Sequence, residues 1–527
     1  DPQTGLVDCG NWAVSATWSM PATAVSGIYV GKLVRPDTGG SSHIVFVVRD
    51  DAGASDILFQ TSDTTWQAYN SYGGNSLYTG APVGRAYKVS YNRPITTRQS
   101  GCCGGSVESW LFAAEYPMVR WLEANGYHVS YTTGVDTDRR GAELLEHKVF
   151  LTVGHDEYWS NQQRSSVEAA REAGVNLAFL AGNDAFWKTR WESSVDGADT
   201  PHRTLVSYKE THANAKIDPT PAWTGTWRDP RFSPPADGGR PENALTGTLF
   251  RVNGVRYDAM TVPAADGRLR FWRNTDVAGL PAGGTATLPT GTLGYEWNEP
   301  AEEHAPPGLL RLSSTTLDVN GQFLLDYGST FGAGTATHSL TLYRHPTRGG
   351  APSTSGALVF SAGTTNWSWG LDATHDGPGA PVDARMQQAT VNLLADMGVQ
   401  PAALQAGLVP ASASTDTARP ASTITAPAAG ASLQAGAAVT VSGTASDSGG
   451  AVGAVEVSVD GGATWRRAAG RESWTYTWTP AGQGPVTLRS RSVDDSSNLE
   501  LPGPGVAVTV GPRTCPCSLW NDAAAPA

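Results

Sequence analysis

Residues 147–160 read HKVFLTVGHDEYWS. Val149 to Val153 is an apolar, β-rich run, Gly154 breaks it, and His155, Asp156, Glu157, Tyr158 and Trp159 follow at once. A run this apolar is expected inside a sheet covered on both faces. The same design recurs outward along the chain in YHVSYTT (127–133), VNLAFLAGND (175–184) and GALVFSAGTTNWSWGLD (356–372). Helical spacing separates these runs. In residues 106–126 a broad apolar face is offered by Trp110, Phe112, Ala113, Tyr116, Val119, Trp121 and Leu122, and Gly126 stops it. NQQRSSVEAAREAG (161–174) and ARMQQATVNLLADMG (384–398) likewise close on glycine. Strands alternating with helices predict an α/β core with a parallel sheet. Ligands of such sheets bind beyond the carboxyl ends of the strands, so His155–Trp159 and Gly182-Asn183-Asp184 are expected on one rim.

The flanks read differently. Residues 12–50 alternate like strands in WAVSATWSM, SGIYVGKLV and HIVFVVRD, giving a β-rich lead. DILFQTSDTTWQAYN (56–70) reads as a short strand followed by a polar, aromatic loop. A β-rich insertion is expected over about 200–350, with strands at GTLFRVNG, RLRFWRN and HSLTLYRH. The catalytic region is thus placed at 1–410, a linker at 411–420 and an all-β Ig-like sandwich at 421–511. SVDGGATW (458–465) fits the Asp-box pattern of sialidase propellers, but a propeller needs several copies at a regular period and one is found, so a hairpin is expected. Residues 512–527 read as a tail or the start of a further domain.

The chain has 527 residues, more than one core holds, so several domains follow. A net charge of −12 argues against nucleic acid or an anionic membrane as partner. No apolar run reaches the roughly 20 residues of a membrane-spanning helix. Five cysteines, few lysines and abundant Trp, Ser, Thr and Gly suggest a secreted bacterial protein, and the opening DPQTGLVDCG reads as a processed N-terminus. A disulfide from Cys9 to Cys102 or Cys103 is expected.

The nucleophile elbow, zinc-protease helix, phosphate loop and dinucleotide fingerprint are all absent, and no His/Cys group has zinc-like spacing. What remains is a set of strand-end loops: His155 and Glu157 in GHDEYW, Asn183 in AGNDAFW, Tyr69, Tyr72 and Tyr78 in TTWQAYNSYGGNSLY, and Glu296, Glu299 and His304 in GYEWNEPAEEH. Phenolates with a carboxylate form a hard, anionic site that favours Fe(III), and a bound metal lets a phenol ligate well below its ordinary pKa of about 10. Structural roles compete with this reading: Trp66, Tyr69 and Tyr72 as packing, Glu157 as the acid at a helix start, His155 as a bond to a neighbouring strand. A glycoside hydrolase using Glu157 and Glu296, with Trp159, Trp187, Trp367 and Trp369 as sugar platforms, is a second candidate. A non-catalytic carbohydrate-binding protein is a third.

The segments SGIYVGKLV, TTWQAYNSYGG, EYPMVRWLEANGYHVSYTTGVD, VGHDEYWS, LAGNDAFWK and SAGTTNWSWGLD together resemble the large (beta) subunit of N,N-dimethylformamidase, over roughly residues 10–405. The resemblance implies a glutamine-amidotransferase-like core without the cysteine nucleophile. It also implies hydrolysis of a simple amide at a mononuclear iron, one Fe(III) per chain, held by two tyrosines and a glutamate. Carried onto this sequence, the metal ligands are Glu157, Tyr69 and Tyr29, and His155 and Asn183 are surrounding catalytic groups; Glu296 of GYEW is expected beside them as a pocket carboxylate on position and local pattern only. The implied partner is a small amide; the exported character and the Ig-like module, which depart from the family pattern, leave a carbohydrate derivative as the alternative.

Overall fold

The computed structural model describes residues 1–96, 107–231, 239–347 and 355–513. It divides into two compact units, one of residues 1–306, 311–350 and 355–414, the other of residues 307–310, 351–354 and 415–527.

The first unit opens on an antiparallel hairpin of β1 (Gly27–Val34) and β2 (Ser41–Val48). WAVSATWSM forms no strand, because nothing pairs with it and most of its side chains are exposed. The central sheet is built from β3 (Ile57–Thr61), β4 (Val129–Thr133), β5 (Val149–Gly154), β6 (Asn176–Ala181), β7 (Thr341–His345) and β8 (Ala357–Ser361). These lie in the spatial order β7–β8–β6–β5–β3–β4. Pairing is parallel from β4 through β8, and β7 runs antiparallel to β8. Every residue of β3, β5 and β8 is buried, which accounts for their unbroken apolar reading.

The helices that cover the sheet are α1 (Asp63–Tyr69), α2 (Leu111–Ala124), α3 (Asn161–Ala173) and α4 (Ala384–Asp396). Helix α3 shows why its sequence stops where it does. Ser160 and Gln163 form a capping box at its start, and Gly174, at φ 102°, ends it in the left-handed conformation. Helix α1 corrects the loop expected after β3. It has no side-chain cap of its own; instead Glu115 of α2 accepts from Ser62 N at 2.8 Å and from the Trp66 indole at 2.8 Å. RLRFWRN is also corrected: Arg270–Trp272 is a single 3₁₀ turn whose Phe271 and Trp272 are buried. The β-rich segment is a four-stranded antiparallel sheet containing Leu249–Asp258, Leu293–Glu299, Thr315–Leu324 and Phe331–His338.

The second unit is a two-sheet β sandwich closing over Val441, Val455, Val457, Trp474, Leu488 and Val508. SVDGGATW is a hairpin locked by Asp460, which accepts from Thr464 N at 2.9 Å and from the Ser458 hydroxyl at 2.7 Å. No helix among the described residues is long and apolar enough to cross a membrane.

Candidate active site

Gly154 ends β5 at φ 80°, and a Cβ there would stand 2.5 Å from the Ala114 Cβ of α2. Only glycine lets the strand turn this close to the helix, and the turn delivers His155, Asp156 and Glu157 to the rim. The AGND loop after β6 is laced to the same rim: Gly182 N donates to Gly154 O at 2.9 Å, Ala185 N to Asp156 O at 2.9 Å and Phe186 N to Glu157 O at 2.9 Å. The strand Leu293–Glu299 approaches from the β-rich sheet. It packs so tightly that a Cβ on Gly182 would sit 2.9 Å from Glu296 O.

These elements gather an oxygen-rich cluster around Glu157. Tyr69, the last residue of α1, donates to Glu157 Oε2 at 3.1 Å. Tyr78 donates to Oε1 at 3.0 Å and to Oε2 at 2.9 Å. Tyr158 donates to the Tyr78 oxygen at 2.6 Å. The Tyr69 and Tyr78 rings stack 4.2 Å apart, while the Lys209 ammonium nitrogen lies 3.4 Å from the centre of the Tyr78 ring. His155 Nε2 faces Glu296 Oε2 at 2.9 Å and Glu157 Oε2 at 3.4 Å. Asn183 Nδ2 donates to Glu296 Oε2 at 2.8 Å, and its backbone N–H to Asn298 Oδ1 at 2.9 Å. Asn183 holds φ 53°, a left-handed geometry that asparagine tolerates better than most residues.

Five of the six predicted residues therefore share one cluster: His155, Glu157, Asn183, Glu296 and Tyr69. Tyr29 does not join them. It lies on β1, its ring stacks on Phe46, and its hydroxyl donates to Val25 O at 3.0 Å. The second phenol on Glu157 is Tyr78, which sequence reasoning named among three loop tyrosines without ranking it. Tyr158 and Lys209 were not anticipated as site groups; the first lies inside the HDEYW motif, and no pattern marks the second. Tyr72 makes no contact with Glu157, and His304 is exposed. The four tryptophans proposed as sugar platforms are all buried, at 0–2% exposure, so none offers a face to a sugar. Glu157 and Glu296 converge on a single imidazole nitrogen and do not flank an open cleft. The disulfide expected from Cys9 ends on Cys102 or Cys103, which lie outside the described residues.

Burial dominates the electrostatics. It pushes the Tyr69, Tyr78 and Tyr158 phenols well above their ordinary range, and the Glu157 carboxylate adds to the effect. It raises Glu157 too, against the His155 charge. It lowers the Lys209 ammonium well below its usual value. At His155 burial opposes the charged ring, but Glu296 and Glu157 outweigh it and raise the imidazole to about 9. The cluster is thus crowded with oxygen donors that resist becoming anionic unless a cation joins them. The Tyr69 and Tyr78 hydroxyls each stand within 3.1 Å of Glu157 Oε2, the spacing of adjacent ligands on a small hard cation. The donor set fits a ferric ion.

Residues 1–380 match the family described as N,N-dimethylformamidase beta subunit-like, C-terminal. The chain belongs to this family. Residues 420–493 match the bacterial Ig domain family. Among curated relatives, the N,N-dimethylformamidase beta subunit of an Alcaligenes species is 37% identical over 95 residues, and that of Paracoccus aminophilus 33% over 94. Each alignment covers 17% of this chain and spans only 12% of the relative's length. Among solved structures, the fibronectin(III)-like modules of Clostridium thermocellum CbhA match 17% of this chain and 94% of their own at 26% identity, with a TM-score of 0.15.

Proposed function

We propose that this protein is a secreted, iron-dependent hydrolase of a C–N amide bond, acting on a small amide. Export is supported by the lysine-poor, cysteine-bearing composition. A glutamine-amidotransferase-like core is the finer reading of the parallel sheet. The observation that carries the functional reading is the convergence of Tyr69, Tyr78 and Glu157. These three would hold one Fe(III) per chain, with Tyr78 in the role the resemblance gave to Tyr29. Bound there, the ion supplies Lewis acidity toward a carbonyl and toward water.

The remaining steps belong to the protein. Asn183 Nδ2, oriented by Glu296, presents a neutral donor to an oxygen that gains charge as the carbonyl is attacked. His155 holds a proton at Nε2 between Glu296 and Glu157. That proton suits delivery to the departing amine nitrogen, so His155 would act as an acid in the free protein. The buried rim excludes bulk water, which strengthens each of these polar contacts.

The test is metal analysis with an absorption spectrum, followed by hydrolysis of N,N-dimethylformamide by the full chain. About one iron per chain, a visible phenolate-to-iron band and amine release are expected. A colourless protein that neither takes up added iron nor releases amine from simple amides would end this reading.

A further inference from the structure

The two phenols on Glu157 are not equivalent. Among the described residues the Tyr69 oxygen has Glu157 as its hydrogen-bond partner and receives no donor. The Tyr78 oxygen bonds both oxygens of Glu157 and also receives the Tyr158 hydroxyl at 2.6 Å, the shortest contact of the cluster. Tyr158 is fully buried, and it follows Glu157 directly at the start of the strand Tyr158–Ser160. That strand pairs in parallel with Trp187–Glu192, with Tyr158 opposite Trp187, and Thr64 of α1 donates to the Tyr158 carbonyl at 2.8 Å. The hydroxyl is therefore held by main-chain anchors on both sides, not by a mobile loop. Its ring meets Tyr78 edge to face, and its O–H donates to the neighbouring oxygen.

Resting on the iron reading above, we infer that Tyr158 is a positioning residue that holds the Tyr78 oxygen in its ligand orientation and withdraws electron density from it. When Tyr78 ligates a metal its own O–H is gone, so it can no longer donate to Glu157. Among the described residues its oxygen then keeps one donor, the Tyr158 hydroxyl, while the Tyr69 oxygen has none. Groups that hydrogen-bond a metal ligand tune that ligand's electronics and orientation. A donor to a phenolate stabilises its lone pairs and raises the energy of charge transfer from it to the metal. The two tyrosines should thus contribute separate components to the visible band, with Tyr78 at the shorter wavelength.

The experiment compares the iron-loaded full chain with its Tyr158→Phe variant, which loses only the hydroxyl. The expected result is equal iron content, with the short-wavelength component moved to longer wavelength and the other left in place. A role in packing alone would not move the band. If the wild type is coloured and the Y158F band is unmoved at equal iron content, this inference falls while the iron reading stands. A wild type that takes up iron and stays colourless overturns both. Should Y158F fail to fold, resonance Raman spectra of the wild type in H₂O and D₂O decide. A phenolate C–O mode that shifts on exchange supports the inference, and two unmoved modes overturn it.

Discussion

Glu157 is the residue on which the site turns, because two phenols donate to it while His155 faces it. Glu157→Gln keeps the shape but removes the charge and leaves an amide among donors, and iron content is expected to fall from about one per chain to near zero. Tyr78→Phe and Tyr29→Phe make a sharper pair. Tyr78 contacts both oxygens of Glu157, whereas Tyr29 is spent on Val25 O in the first hairpin. Elemental analysis should show Y78F losing most of its iron and Y29F retaining all of it; equal losses would return Tyr29 to the ligand set. This contrast marks where the sequence stopped being legible. Glu157, His155 and Asn183 could be placed because each follows directly on an apolar strand, where geometry leaves a side chain little choice. A phenol several residues into an irregular loop carries no such address. Tyr69 and Tyr78 differ from Tyr72 only in how α1 and the turn after it present them, and α1 itself was read as loop.

At the scale of the element, the rim depends on how β5 ends. Gly154 combines a left-handed backbone with a Cβ position already occupied by Ala114. Gly154→Ala is expected to cost about 2 kcal/mol or more from strain and overpacking together. It should lower the thermal midpoint and, by displacing His155 and Glu157, lower iron content as well. A variant as stable and as iron-rich as the wild type would show that the turn is not what delivers the site. The elements that were legible are those with their own periodicity or stop signal: β5, β6 and β8, and the helices closed by Gly126, Gly174 and Gly398. The misread ones take their structure from elsewhere. Helix α1 is only seven residues long and is started by Glu115 from another helix. The apparent strand alternation of RLRFWRN becomes a 3₁₀ turn because Phe271 packs on Phe360 and the Trp272 indole donates to Leu312 O at 2.7 Å. Tertiary contacts of this kind override a local pattern and leave no trace in it.

At the scale of the molecule, the α/β plan and the Ig-like sandwich were both legible, since each buries long, regular apolar sets. Less legible was how much polarity the first unit buries, and from this a pH dependence of stability is expected. His338 is fully buried, and as a neutral ring its Nε2–H donates to Ala362 O at 2.9 Å. Burial lowers its pKa to about 4 from an ordinary 6.5, only partly offset by that bond. Between these values the unfolded chain binds a proton that the folded chain refuses, so stability falls as pH drops from 6.5 to 4. It is constant below that window and fully present above it. A shift of this size corresponds to at most about 3 kcal/mol. His338→Gln keeps an amide donor for Ala362 O but has nothing to titrate. Denaturant unfolding of the first unit should show the wild type losing stability relative to H338Q across pH 6.5 to 4, with the difference level outside it. Parallel curves would mean that His338 takes its proton without disturbing the fold, and that acid sensitivity arises elsewhere. Asp63 works against this trend, because burial raises its carboxyl to about 6 and the folded chain then gives up stability as pH climbs from 3.8 to 6. The variant pair separates the two effects, since only His338 differs between the curves.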